Sequence, residues 1–220
     1  MDVHKTYDAI LIQPFNLVIS GATSSGKNEW CYRLIANASE MISPPVDLIY
    51  FCYKIYQEKF KTLKGVQFFE GFDPLIVSKQ QLKGKRVLLI LDDLMMSIKP
   101  DVLLDLFTVQ SHHAGVNPVF ICHNLYYSNQ KSARTVNLNT TYNCILKNPR
   151  DKSSINCLGS QMFPGESKYF LESYSIATKD SFSYLWIDSK PNQDEKLRLR
   201  TRIFPGEDQV CFVSNKSDRL

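Results

Sequence analysis

A glycine-rich segment near the amino terminus has the residue types and spacing of a phosphate-binding loop. It follows the pattern Gly-x-x-x-x-Gly-Lys at 21–27, between a β-rich run at 16–20 and a segment at 29–38 with helical spacing of apolar residues. In that setting, backbone N–H groups and the helix amino terminus can surround a phosphate chain, and the lysine can reach the β- and γ-phosphates. The sequence therefore predicts a nucleoside triphosphate site formed by Gly21, Ala22, Thr23, Ser24, Ser25, Gly26, Lys27 and Asn28.

Position 28 departs from the usual form of this motif, in which a Ser or Thr hydroxyl binds Mg²⁺. The sequence has Asn28, whose amide oxygen can bind a hard cation but with a different reach and geometry. We therefore predict that Asn28 is a metal ligand in this site and that turnover is lower than it would be with a threonine.

Two adjacent carboxylates follow the most apolar run of the chain. Residues 86–91 are followed by Asp92 and Asp93, and a continuous aliphatic run is typical of a strand buried on both faces of a parallel sheet. Ligands of open α/β sheets bind at the carboxyl ends of such strands. We predict that Asp92 binds the metal, directly or through water, and that Asp93 polarises the attacking water as a general base. A solvated acidic turn is the alternative.

Asn124 follows the next predicted strand, at 118–122, and is a candidate sensor of hydrolysis. An amide at a strand tip could hydrogen-bond the γ-phosphate or the attacking water, although asparagine is also a common turn residue. His123 beside it could share this role or simply pack.

Positive charge on the developing phosphate oxygens accelerates hydrolysis in such sites, and a neighbouring subunit often supplies it as an arginine. Arg150 and Arg134 are the candidates, since each lies in a polar connection flanking the predicted strand at 142–146. An ordinary surface arginine is an equal alternative for each.

Strands alternate with helices along the chain, which favours an α/β fold with a mainly parallel central sheet flanked by helices. At 220 residues, 44% of them hydrophobic, the chain can bury one full core. We predict one domain at 1–205 and a flexible carboxyl-terminal tail at 206–220. No run approaches the roughly 20 apolar residues of a membrane span, and the amino terminus has no signal-peptide core, so we expect a soluble, intracellular protein with no membrane partner.

The six cysteines are scattered without a Cys-x-x-Cys pair, which favours free thiols in a reducing compartment. The more specific alternative is a zinc site formed by Cys122, His123 and the pair His112-His113, although this spacing fits no common ligand pattern. The net charge of +4 permits a polyanionic partner without requiring one.

Taken in order, these elements resemble the genome-packaging ATPases of the FtsK–HerA superfamily, particularly those of Maverick/Polinton elements, adintoviruses and the related poxvirus-type packaging proteins. The resemblance covers about residues 11–205 and departs from the family pattern at Asn28 and His123. Beyond the loop it rests on these motifs: Gln13-Pro14-Phe15, Leu91-Asp92-Asp93-Leu94-Met95, Ser111-His112-His113, His123-Asn124-Leu125, Arg134-Thr135-Val136-Asn137-Leu138-Asn139, Lys147-Asn148-Pro149-Arg150-Asp151, Gln161-Met162-Phe163-Pro164 and Arg198-Leu199-Arg200-Thr201-Arg202-Ile203-Phe204-Pro205.

The resemblance implies a RecA-like P-loop NTPase fold that binds ATP and Mg²⁺. It further implies a homo-oligomeric ring that drives double-stranded DNA into a capsid, with viral capsid or portal proteins as partners at a site of viral assembly in the host cell. It also favours Arg150 over Arg134 as the arginine that acts on the transferred phosphate.

Two other functions remain open at this stage. Asn28 is the main support for a nucleotide-binding switch or assembly protein whose hydrolysis is impaired, left from a decayed virus-like element. A small-molecule or nucleotide kinase would use the same loop, but no arginine-rich lid is evident. A motor would contact the phosphates of DNA. A basic cluster before the predicted strand at 86–91 could make these contacts, and a solvated loop is the alternative for it. The cluster consists of Lys79, Lys83, Lys85 and Arg86.

Overall fold

A computed structural model describes residues 9–94, 97–111, 114–125, 136 and 139–214 of the chain. Short strands alternate with helices throughout these residues. The strands are β1 (Leu11–Ile12), β2 (Leu17–Ser20), β3 (Ile42–Ser43), β4 (Leu48–Tyr53), β5 (Val66–Glu70), β6 (Val87–Asp92), β7 (Val116–Cys122), β8 (Tyr142–Leu146), β9 (Tyr184–Asp188), β10 (Leu199–Thr201) and β11 (Val210–Phe212).

The helices of the described residues lie between these strands. Residues Leu106–Gln110 form a π-helical turn that directly continues the α-helix at Pro100–Asp105. Short 3₁₀ turns occupy Glu58–Thr62, Pro74–Val77 and Glu195–Leu197. The α-helices are α1 (Lys27–Ala36), α2 (Ala38–Met41), α3 (Lys79–Leu82), α4 (Pro100–Asp105), α5 (Lys152–Met162) and α6 (Ser167–Ala177).

A nine-stranded sheet in the order β11-β10-β9-β8-β2-β7-β6-β4-β5 forms the centre of the fold. The six strands from β8 to β5 are parallel, and β9, β10 and β11 extend the sheet in antiparallel fashion. The predicted α/β fold with a mainly parallel sheet is therefore confirmed. Because β2 lies between β7 and β8, the segment that follows β2 emerges in the middle of the carboxyl edge of the parallel strands.

Both faces of the sheet are buried, each under a different group of helices. Leu17 and Ile19 of β2 face the side covered by α1 and α2, whereas Val18 faces the side covered by α4, α5 and α6. Successive side chains of a strand point to opposite faces, so the continuous aliphatic strand β6 contributes to both cores. Because both faces are buried, the ends of the parallel strands are held in fixed positions. Side chains at these ends can therefore form a site with a defined geometry.

Two features differ from the sequence predictions. Helix α6 was not predicted, because its buried face consists of Phe170, Ser173 and Ala177 rather than of large aliphatic residues. The predicted flexible tail at 206–220 contains β11, which pairs with β10 at one edge of the sheet; residues 215–220 of that tail lie outside the described part of the chain.

All six cysteines are free thiols; four of them are buried, whereas Cys157 is exposed and Cys211 is half-buried. No group of three or more metal-ligating side chains occurs among the described residues, which include Cys122 and His123 of the alternative zinc site but not His112 and His113. Across the same residues, no helix combines the length and the apolar character needed to cross a membrane.

Candidate functional site

The phosphate-binding loop connects β2 to α1, as predicted, and its two glycines are required by the local packing. A Cβ atom on Gly21 would lie 2.8 Å from Cβ of Leu146, and one on Gly26 would lie 2.8 Å from the ring of Phe182. Gly26 also has φ of +101°, a conformation that side chains disfavour. Only glycine allows the loop to turn this tightly against β8 and Phe182.

Lys27, the first residue of α1, turns back over the loop that precedes it. Its Nζ donates to the carbonyl oxygens of Gly21 at 2.8 Å and Ala22 at 2.9 Å, and the side chain is buried. Burial lowers the pKa of the Lys27 ammonium, and the neighbouring Cys122 and Asp92 oppose this shift. A triphosphate would offer this ammonium stronger, charged acceptors than the two carbonyls.

Asn28 and Asp92, the two predicted metal ligands, are hydrogen-bonded to each other. Asn28 Nδ2 donates to Asp92 Oδ2 at 3.0 Å, so the amide nitrogen is engaged with the carboxylate and the amide oxygen is left as the available ligand atom. Asp92 ends β6 and is buried. Burial raises the pKa of its carboxyl from 3.8 to about 6, although the Asn28 hydrogen bond lowers it. A divalent cation beside Asp92 would favour the ionised form.

Asp93 and His123 meet at the same edge of the sheet. Asp93 directly follows β6 with φ of +53°, and its Oδ1 lies 3.6 Å from His123 Nε2. The other ring nitrogen, Nδ1, lies 3.5 Å from Nζ of Lys27. Because an ammonium can only donate, Nδ1 is the ring nitrogen that can accept from Lys27, and Nε2 is the ring nitrogen that faces Asp93. His123 therefore links the loop lysine to the predicted general base.

These groups line one cleft of about 650 Å³, a volume in the usual range for small-molecule sites. The cleft lies at the carboxyl edge of the parallel strands, where ligands of open α/β sheets bind. Its lining residues are Thr23, Ser24, Gly26, Lys27, Asn28, Glu29, Lys54, Ile55, Gln57, Asp92, Asp93, Ile121, Cys122, His123 and Phe182.

The residues of the cleft fit a nucleoside triphosphate with a divalent cation. Lys27 supplies a buried cation, and Asn28 and Asp92 supply the hard oxygen atoms that Mg²⁺ prefers. In addition, Ser25 Oγ is buried within the loop without a hydrogen-bond partner among the described residues, so an incoming phosphate oxygen could satisfy it. An apolar ligand would offer no acceptor to the Lys27 ammonium and no counter-charge to Asp92.

The other predicted site residues lie outside the cleft lining or outside the described residues. Asn124 follows His123 but is not among the cleft-lining residues; its Oδ1 is 3.5 Å from Asn148 Nδ2, which also donates to the His123 carbonyl at 3.1 Å. Arg150 is exposed in the connection after β8, and Arg134 falls outside the described residues. The roles predicted for these residues stay predictions.

The basic cluster of Lys79, Lys83, Lys85 and Arg86 immediately precedes β6. It therefore lies at the amino end of that strand, at the opposite edge of the sheet from the cleft. The first three side chains are exposed, whereas Arg86 is half-buried and its Nε lies 3.4 Å from Asp47 Oδ2.

An aromatic cluster anchors the helix that carries the loop. Trp30 of α1 stacks on Trp186 of β9 with ring centroids 5.7 Å apart, and it meets Phe204 edge-on at 5.2 Å. Aromatic pairs of this kind contribute about 0.5–1.5 kcal/mol each beyond the area they bury. The antiparallel extension of the sheet thus holds the amino terminus of α1 in position for the loop.

The sequence indicates no binding role for Phe182, and it leaves the role of His123 open. The available signal for His123 was its place at the end of β7, next to Asn124. For Phe182 the sequence gives little indication of a binding role. A phenylalanine between two serines, just before a strand, fits the alternation of apolar and polar residues that is typical of the strand. The structure instead begins β9 at Tyr184 and leaves Phe182 in the loop before it.

No family model matches the sequence, and no curated protein matches it. Solved structures do match the fold. The cytoplasmic domain of EssC is 16% identical, with a TM-score of 0.50 over 87% of this chain and 39% of that chain. The present chain therefore spans about two-fifths of that structure.

Two further structures are similar with lower scores. The cytoplasmic domain of the Thermomonospora curvata type VII secretion ATPase EccC is 13% identical, with a TM-score of 0.49 over 84% of this chain and 26% of that chain. A KaiC-like protein from the hyperthermophilic archaeon Pyrococcus horikoshii OT3 is 11% identical, with a TM-score of 0.45 over 91% of both chains. With its loop between β2 and α1 and its mainly parallel sheet, the chain has a RecA-like P-loop NTPase fold.

Proposed function

We propose that this chain is an ATP-hydrolysing motor subunit that translocates or packages double-stranded DNA into a viral capsid. One observation supports ATP hydrolysis: a lysine of the phosphate loop, a buried carboxylate and a second carboxylate lie in the same cleft. Lys27 suits the phosphates, Asp92 with Asn28 suits the cation, and Asp93 with His123 suits the attacking water. A site that only bound nucleotide would not need the second carboxylate.

The chain's own groups divide the work of hydrolysis. Lys27 exchanges its loop carbonyls for phosphate oxygens and neutralises charge on them. Asp93 accepts a proton from water, and the imidazole of His123 lies beside that carboxylate, with Nε2 3.6 Å from Asp93 Oδ1. Asn28 and Asp92 would hold Mg²⁺, which supplies charge stabilisation to the phosphate oxygens when it is bound.

The motor part of the proposal rests on the sequence resemblance and on two surface features. Arg150 is exposed near the carboxyl edge of β8, so its guanidinium is available to a neighbouring copy in a homo-oligomeric ring. The net charge of +4 permits a polyanionic partner such as the DNA backbone. Viral capsid or portal proteins would be the remaining partners, at a site of viral assembly inside a host cell.

A second candidate function is a nucleotide-dependent switch or assembly protein with impaired hydrolysis. Asn28 favours it, because an amide replaces the hydroxyl that usually binds the cation. The amide nitrogen of Asn28 donates to Asp92, and the amide oxygen is the atom that would bind the cation.

Phosphate release measured with and without double-stranded DNA separates the two functions. The motor predicts ATP hydrolysis that DNA stimulates, less strongly as salt is raised, and that Arg150→Ala reduces. Lys147→Ala, an exposed cation of the same connection, is the matched control and should retain the stimulation. ATP binding without phosphate release under any condition would select the switch, and release that DNA does not change would contradict the motor.

A further inference from the structure

Phe182 has three features that a purely structural phenylalanine seldom combines. Its side chain is 65% exposed, it has φ of +64°, and it lines the same cleft as Lys27. A bulky residue rarely adopts positive φ, and such backbone strain is concentrated at functional sites.

Three of the five residues that carry this backbone strain in the described part of the chain line the cleft. Five non-glycine residues of the described chain have positive φ, and Ser24, Asp93 and Phe182 among them line the cleft. Ser24 belongs to the phosphate loop, and Asp93 is the predicted general base. Phe182 is therefore the one member of this group to which the hydrolytic chemistry gives no role.

The Phe182 ring lies directly on the phosphate loop and is held there. A Cβ atom built on Gly26 would be 2.8 Å from Phe182 Cδ1 and 3.2 Å from Phe182 Cβ, so the ring and the loop are in van der Waals contact. The adjacent Ser183 closes the turn, because its Oγ donates to the Asp180 carbonyl at 2.7 Å. A ring that only covered Gly26 would be buried, whereas this one presents most of its surface to solvent and to the cleft.

We propose that Phe182 is the platform on which the base of the nucleotide stacks. This inference rests on the proposed function, since it assumes that the triphosphate occupies the loop. The base is joined to the phosphates by a single sugar, so a ring touching the loop is within its reach. Stacking on an aromatic face is strong and tolerates any planar base, so Phe182 favours nucleotides over phosphate-only ligands without selecting one base by hydrogen bonding.

The test compares a ligand that has a base with one that lacks it. Isothermal titration of the Mg²⁺ complexes of a non-hydrolysable ATP analogue and of inorganic tripolyphosphate would be carried out on the wild type, Phe182→Ala, Phe182→Trp and Lys27→Ala. We expect Phe182→Ala to weaken binding of the analogue about tenfold or more and to leave tripolyphosphate within about twofold, since only the base contact is lost. Phe182→Trp should retain binding of the analogue.

Two controls separate base stacking from support of the loop. Ile176→Ala truncates a similarly exposed apolar side chain on α6 (64%) and should change neither affinity. Phe182→Gly removes both the ring and the conformational strain, so it should lose binding of the analogue while the free energy of unfolding is unchanged or increased.

Each outcome bears on a different claim. If Phe182→Ala weakens both ligands equally, or neither, the base platform is wrong while the nucleotide site stands. If Lys27→Ala leaves both affinities unchanged, or if the wild type binds neither ligand, the proposed function itself fails and the base platform fails with it.

Discussion

Asp92→Asn should make the ligand-free protein more stable while it destroys the metal-dependent site. The carboxyl of Asp92 is buried at the end of β6, and burial raises its pKa from 3.8 to about 6. Above pH 6 the folded protein must hold this group ionised in an environment that disfavours charge. An asparagine has nearly the same shape and can still hydrogen-bond to Asn28, but it carries no charge.

The size and sign of the effect follow from proton linkage. Between pH 3.8 and 6 the folded state holds a proton on Asp92 that the unfolded state has lost, so the stability of the wild type falls as pH rises through this window. The difference between the two pKa values corresponds to about 3 kcal/mol at 1.36 kcal/mol per pH unit, which is an upper bound. Asp92→Asn should remove this pH dependence and gain up to that amount at pH 7.5.

Urea unfolding of the metal-free protein in EDTA at pH 4 and pH 7.5 measures this gain. Asp93→Asn is the matched control: its side chain is 56% exposed, so its free energy of unfolding should change by less than about 0.5 kcal/mol. With Mg²⁺ and a non-hydrolysable ATP analogue at 100 times its Kd, the wild type should gain about 2.7 kcal/mol and Asp92→Asn almost nothing. A variant that is less stable at pH 7.5, or equally shifted at both pH values, would refute the burial argument.

Three further substitutions test the loop and its metal ligand. Lys27→Ala should abolish the stabilisation of the protein by nucleotide in thermal unfolding, because no other cation of the loop can replace its ammonium; an unchanged Tm shift would contradict this role. Asn28→Thr should raise the rate of phosphate release severalfold by supplying a hydroxyl ligand; a Thr variant no faster than the wild type would show that the amide suffices. Gly26→Ala should lower the free energy of unfolding by about 1–2 kcal/mol in chemical denaturation, given its positive φ and the nearby Phe182 ring, and an unaltered midpoint would show that the loop has room to adjust.

The parts of the fold that were predictable from the sequence are those where a local pattern determines the structure. The continuous aliphatic run of β6 is typical of a strand buried on both faces, and the glycine spacing at 21–26 matches the turn that the loop makes. Tertiary packing explains what was missed. The buried face of α6 includes Ser173, and tyrosine and serine are weak helix formers, so α6 becomes a helix because Phe170 packs beneath the sheet.

For the candidate site, the sequence identified the residues but not all of their contacts. Asp92 and Asn28 were both predicted to bind metal, yet the hydrogen bond between them joins residues 64 positions apart and depends on how β6 and α1 pack. Likewise, which of His123 and Asn124 enters the cleft depends on how the chain leaves β7. The position of Phe182 over Gly26 depends on the turn that connects α6 to β9, which the alternating sequence pattern does not reveal.

Phosphate release by the purified wild type and Lys27→Ala, each with Mg²⁺-ATP and again with excess EDTA, tests most directly whether this cleft hydrolyses ATP. The account predicts release by the wild type that EDTA removes and that falls by about a hundredfold or more in Lys27→Ala, on the order of the loss seen when one group that stabilises the transition state is deleted. Equal rates from the two proteins, or release that is insensitive to EDTA, would contradict it.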